Sequence, residues 1–133
     1  MTEPLTITLT GEVVPYTRMT QRGKYVSPKA QKYLASQEAI AWQMAQQVSE
    51  KPHFQKEARL AVSIHFYGHY RSGDTDNRQK ACLDAAKGIL WYDDRQIDEL
   101  HAYREGGNEY RTTVFVSEVL NESSQADLSA LRT

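Results

Sequence analysis

Hydrophobic and polar positions alternate strictly in two stretches of the chain. Leu5 to Leu9 reads Leu-Thr-Ile-Thr-Leu, and Leu60, Val62, Ile64 and Phe66 alternate with Ala61, Ser63 and His65. A period of two puts the apolar residues on one face, so both stretches are predicted strands with one buried side. Between them the period lengthens. Ser27-Pro28 has the form of an N-cap followed by proline at the first helical position. Tyr33, Leu34, Ala41, Met44, Ala45 and Val48 then recur at helical spacing toward Glu50, and Pro52 ends the run. Trp42 lies on this helix and is expected in the core. The stretch from Gly11 to Gly23 lacks a period and reads as a loop, with a short extended piece expected around Lys24 to Val26.

The second strand delivers the chain to Gly68-His69-Tyr70-Arg71-Ser72-Gly73, beyond which Ala81, Leu83, Ala85 and Ala86 favour a second helix from Asp76 to about Lys87. Gly88 is its expected terminator. Ile97 to Tyr103 and Tyr110 to Glu118 are predicted strands joined by Glu105-Gly106-Gly107-Asn108-Glu109, and a terminal hairpin is the expected result. Residues 1–120 form one expected domain. The polar stretch 121–133 is expected to be a flexible tail.

Length and composition agree with one domain: 133 residues, 40% of them hydrophobic, suffice for one sizeable core. The lone Cys82 cannot form an intramolecular disulfide, no Cys/His cluster has zinc spacing, and no window approaches a membrane span, so a soluble cytoplasmic protein is expected. The net charge of −1 conceals a segregation. No acid falls between Glu12 and Glu38, a segment with Arg18, Arg22, Lys24, Lys29 and Lys32 interleaved with Tyr16, Tyr25 and Tyr33. That mixture suits a phosphate backbone and exposed bases, or else forms a solvated basic face with inward tyrosines.

The centre of the chain is acidic instead. Asp74-Thr75-Asp76-Asn77 is followed by Asp84 and then by Asp93-Asp94, with Lys80 inside the group. On a helix Asp76, Lys80 and Asp84 project from one face, and Asp74 precedes the helix where its amides favour an anion. If the loop carrying Asp93 and Asp94 folds back toward the start of that helix, Asp74, Asp76 and one of the pair could offer hard oxygen ligands to Mg²⁺ or Mn²⁺. Simple capping by Asp74 and Asp76, a solvated Asp84 or its pairing with Lys80, and an ordinary turn at Asp93-Asp94 are the alternatives. A helix-loop-helix calcium site is excluded, because the fifth and sixth places from Asp74 are Arg78 and Gln79 rather than an oxygen ligand and glycine. A phosphoaspartyl site is excluded too, for want of an early parallel strand and a large doubly wound sheet.

The run from Asp74 to Ala85, of form D-x-D-N-x-x-K-x-x-x-D, together with Trp91-Tyr92-Asp93-Asp94, resembles the RusA-like Holliday junction resolvases. A looser likeness at Arg22-Gly23-Lys24-Tyr25-Val26-Ser27 extends it over residues 5–119. The resemblance implies an α+β fold with a mixed β-sheet flanked by two main helices. It also implies a homodimer and a Mg²⁺-dependent, Mn²⁺-tolerant endonuclease that nicks four-way DNA junctions symmetrically in recombination and repair. Asp74, Asp76 and Asp94 would be the metal-binding catalytic carboxylates, Asp93 would assist, and Lys80 would be the essential base of the site. Arg71 and Arg78 join Arg18, Arg22, Lys24, Lys29 and Lys32 as expected DNA contacts. One departure weakens phosphate binding: the segment before Asp74 holds a single base, Arg71. A less selective branched-DNA or flap nuclease and a non-catalytic DNA-binding protein are the competing readings.

Overall fold

The computed structural model describes residues 3–17, 27–70 and 75–119. Four strands, β1 (Leu5–Thr10), β2 (Leu60–Tyr67), β3 (Ile97–Gly106) and β4 (Arg111–Glu118), form one sheet in the order β1-β4-β2-β3. Two helices, α1 (Pro28–Gln46) and α2 (Thr75–Ala86), complete an α+β domain. The sheet is mixed. β2 runs parallel to β3 and antiparallel to β4, and β4 runs antiparallel to β1.

The core lies where the alternating patterns point. Leu60, Val62, Ile64 and Phe66 from β2 join Ile7 and Leu9 from β1 and Val114 and Val116 from β4, each at most 1% exposed. Tyr33, Ile40 and Met44 from α1 and Ala81, Cys82, Ala85 and Ala86 from α2 close over them. Burial at this level supplies the main stabilising term, because apolar area leaves water on both layers at once.

The expected terminal hairpin does not form. β3 and β4 lie on opposite sides of β2, so the Glu105 to Tyr110 connection spans two strand spacings instead of one. β2 buries every second side chain and demands a partner on each edge, which neighbours in sequence cannot supply to each other. The connection passes the end of β2, where the Gly68 amide donates to the Gly106 carbonyl at 2.9 Å. Gly68 has φ +130°, and a Cβ there would stand 2.4 Å from Cδ1 of Tyr110. Only glycine fits that crossing.

Helix α1 begins as its sequence predicts, with the Ser27 hydroxyl accepting from the Ala30 amide at 3.4 Å. It ends short of Glu50. Gln47 caps it, and the side chains of Gln43 and Gln47 turn to β1. The Gln47 amide group accepts from Thr8 N at 3.0 Å and donates to Thr8 O at 2.8 Å. Gln43 repeats this at Thr10, at 2.8 and 3.0 Å. The two glutamines thereby occupy the free edge of β1, which otherwise invites another chain. Trp42, expected in the core, is 65% exposed. It lies two residues from the buried Met44, about 200° around the helix, and so points away from the sheet. No helix among the described residues is long and apolar enough to cross a membrane.

Candidate active site

The acidic centre is built on the β2-α2-β3 unit. Helix α2 starts at Thr75 with Asp76 exposed in its first turn, and Lys80 and Asp84 follow on the same face at intervals of four. Gly88, with φ +86°, turns the chain sharply after the helix. Its amide donates to the Trp91 carbonyl at 2.7 Å, and Lys87 bridges to Trp91. The chain is thus doubled back against the end of α2 before it reaches the aspartate pair.

Trp91 is 1% exposed, and its indole Nε1 donates to Asp94 Oδ1 at 2.8 Å. One buried ring thus fixes the loop to the core and orients one carboxylate. Asp93 and Asp94 divide the work. Asp93 caps the 3-10 turn Asp94–Gln96, its Oδ1 accepting from the Arg95 amide at 3.0 Å. That bond, followed by the one from the Arg95 side chain, holds the Asp93 carboxyl below its ordinary range. Gln96 closes the capping box: its Oε1 accepts from the amides of Asp93 at 3.1 Å and Tyr92 at 2.8 Å. Its Nε2 donates to the carbonyls of Gln55 and Ala58 at 2.8 and 3.0 Å, tying the loop to the segment before β2. Sequence reasoning missed Gln96, although Asp-x-x-Gln is a visible capping-box signature.

The loop returns to α2, against its C-terminal half. Burial first, and then the negative charge of Asp94, push the Asp84 carboxyl up from its ordinary value, while Lys80 and Lys87 pull it down. The charge of Asp94 on its loop therefore reaches the helix face that carries Asp84. Asp76 lies eight residues before Asp84, about 12 Å along the helix axis. Among the described residues no group of three His, Cys, Asp or Glu side chains is close enough to hold a metal ion. Asp74, the remaining expected ligand, lies outside the described residues, as do Arg18, Arg22, Lys24 and Arg71. The donor chemistry of these carboxylates, which offer only oxygen, fits a hard divalent cation.

Two tyrosines from preceding loops lie against the cations of α2. Lys80 Nζ sits 3.9 Å from the centroid of the Tyr16 ring, and the Tyr16 amide donates to the Asn77 carbonyl at 3.0 Å. Arg78, expected to touch DNA, is only 6% exposed, with its guanidinium 4.1 Å from the Tyr70 ring centroid. The Tyr70 hydroxyl accepts from the Val13 amide at 2.7 Å, which pins the chain entering the segment before Asp74. Lys29 and Lys32 are exposed on α1. Behind α2, burial pushes the Cys82 thiol up to about 12, in keeping with a packing residue.

A separate constellation occupies the open face of the sheet. Ser63 Oγ lies 3.0 Å from His65 Nε2, and His65 Nδ1 lies 2.6 Å from Glu105 Oε1. The order suits nucleophilic catalysis, yet Ser63 stands on a strand paired on both edges, so its neighbouring amides are committed to the ladders rather than to an oxyanion. The face is a polar network.

No curated protein matches the chain. A family model described as endodeoxyribonuclease RusA matches residues 10–117. The match takes in the whole of β2, α2, the Trp91 turn and β3, and so contains every element that positions the carboxylates. The chain belongs to the endodeoxyribonuclease RusA family of DNA endonucleases.

Proposed function

We propose that the chain is a divalent-metal-dependent endonuclease that resolves four-way DNA junctions by paired, symmetric phosphodiester cleavage in recombination and repair. The observation that supports this beyond family membership is the buried Trp91 indole, which holds Asp94 Oδ1 at 2.8 Å on the loop that doubles back to α2. Asp74, Asp76 and Asp94 are the metal-binding carboxylates in this reading, with Asp93 beside them as the cap that shapes their loop. Bound there, Mg²⁺ or Mn²⁺ would supply Lewis acidity that makes an attacking water more acidic and offsets charge on the phosphate being transferred.

The remaining work belongs to side chains. The Trp91 indole holds one oxygen of Asp94 and leaves the other free to bind. The Lys80 ammonium, extended from the middle of the same helix face, stabilises negative charge building on the phosphate oxygens. Lys29 and Lys32 attract the DNA backbone along the exposed face of α1, together with Arg18, Arg22, Lys24 and Arg71. A junction has approximate two-fold symmetry, and an isologous homodimer presents two related sites to opposed strands.

The test incubates purified protein with a synthetic four-way junction, a flap and a linear duplex, each with Mg²⁺ or with chelator. Paired nicks in the junction are expected, lost with chelator and reduced more than about 100-fold by Asp94→Asn, beyond the range of changes that only orient a ligand. Equal cutting of all three substrates favours the less selective branched-DNA nuclease. Junction binding without cutting by the wild type refutes the catalytic reading.

A further inference from the structure

We propose that Tyr16 is the positioning residue for Lys80, acting as an aromatic seat that holds the ammonium of that side chain over the site. The inference rests on the nuclease reading of Lys80 and adds a residue to it.

Lysine has four rotatable side-chain bonds, and an exposed one on a helix samples many rotamers. Lys80 is on an exposed helix face, yet its Nζ lies over the Tyr16 ring at 3.9 Å from the centroid, within the range of a cation-π contact. The segment that carries the ring is held at three points. The Tyr16 amide donates to the Asn77 carbonyl on α2, three residues before Lys80. Its ring meets Tyr33 edge-on, with centroids 5.7 Å apart and planes at 87°. Tyr33 is only 4% exposed in the core, so the seat is anchored to the body of the protein. Two residues earlier, the Val14 amide donates to the Ser36 hydroxyl of α1 at 3.2 Å, which ties the same segment to the other helix. A loop that crosses both helices therefore brings one aromatic face to one ammonium. Asp84, four residues beyond Lys80, also attracts that ammonium, so the ring contact competes with a charge pair on the same helix face.

The experiment compares Tyr16→Phe and Tyr16→Leu with wild type in the full chain. In proton NMR of selectively labelled lysine, the ε-methylene of Lys80, assigned by its disappearance in Lys80→Arg, is expected to be shifted upfield by the ring current. The shift persists in Tyr16→Phe and vanishes in Tyr16→Leu. In junction cleavage, Tyr16→Leu is expected to lower kcat by about 10- to 100-fold with KM nearly unchanged, the loss found when a group orienting a functional residue is removed. Tyr16→Phe stays within about 3-fold of wild type, since the ring alone carries the contact. An unshifted Lys80 resonance in the wild type overturns the seat, as does a Tyr16→Leu variant with wild-type kcat. A rise in KM alone also overturns it, by showing that Tyr16 holds DNA rather than Lys80. If the wild type cuts no branched DNA, the nuclease reading fails while the ring-current shift still decides whether the seat exists.

Discussion

Trp91→Phe separates the two roles of the buried indole, filling the core and holding Asp94. Trp91 is 1% exposed, and its Nε1 donates to Asp94 Oδ1 at 2.8 Å. Phenylalanine keeps an aromatic ring but buries roughly 40 Å² less, worth about 1 kcal/mol at about 25 cal/mol per Å². Loss of a hydrogen bond to a charged acceptor adds about 1.5–3 kcal/mol. The sum is a destabilisation of about 2.5–4 kcal/mol, which for a domain of this size lowers Tm by about 10–16 °C. Far-UV circular dichroism in a urea titration and a thermal scan measure it. The control is Trp42→Phe: that side chain is 65% exposed, so a change within about 0.5 kcal/mol is expected. At a temperature where both variants are folded, Trp91→Phe should also cut junctions far more slowly than Trp42→Phe. A Trp91→Phe protein within about 1 kcal/mol of wild type, with undiminished cleavage, would refute the reasoning.

Gly68→Ala forces a Cβ to 2.4 Å from Tyr110 Cδ1 at a φ of +130° and is expected to cost about 2 kcal/mol or more in chemical denaturation. Gly88→Ala, at φ +86° with nothing within 4 Å of the new Cβ, is expected to cost only about 1–2 kcal/mol. Tyr33 has its hydroxyl pushed up from 10.0 to about 12, chiefly by burial and next by the charge of Asp84. The folded state holds that proton more tightly than the unfolded chain, so its contribution to stability is complete below pH 10.0 and is lost as pH rises toward 12. The urea midpoint of wild type should fall across that window more steeply than that of Tyr33→Phe, and equal slopes would contradict the assignment. Asp84→Asn removes an exposed helix-face charge that the negative charge of Asp94 opposes. It is expected to raise the metal-free Tm slightly, by less than about 1 kcal/mol in stability after solvent screening, while shrinking the rise in Tm that Mn²⁺ produces.

The strands and helices were legible because their patterns are local. A period of two set β1 and β2, and the Ser27-Pro28 start of α1 needed only the cap and the fixed φ of proline. Sheet order was not legible, because strand pairing is decided by which edges remain unsatisfied after all strands are present. The glycines after β3 suggested a hairpin, yet the most apolar strand, β2, takes the place between β3 and β4. Trp42 was misread for a related reason. Helical spacing identifies which residues share a face, and the Leu34-Ala41-Ala45 positions blurred the stripe enough to admit a residue opposite Met44.

The site was legible as a set of residue types and spacings, and its assembly depended on contacts far apart in sequence. That the Asp94 loop returns to α2 follows from a tight turn at Gly88, an indole hydrogen bond and the reach of Gln96 to Gln55 and Ala58, some 40 residues earlier. Only Gly88 and the Asp93-x-x-Gln96 box announce themselves locally. Asp84 illustrates the consequence. In sequence it is one more helix-face carboxylate, equally suited to solvent or to Lys80. In the fold it feels burial, Lys80 and the charge of Asp94 together, while the Lys80 ammonium also lies over the ring of Tyr16.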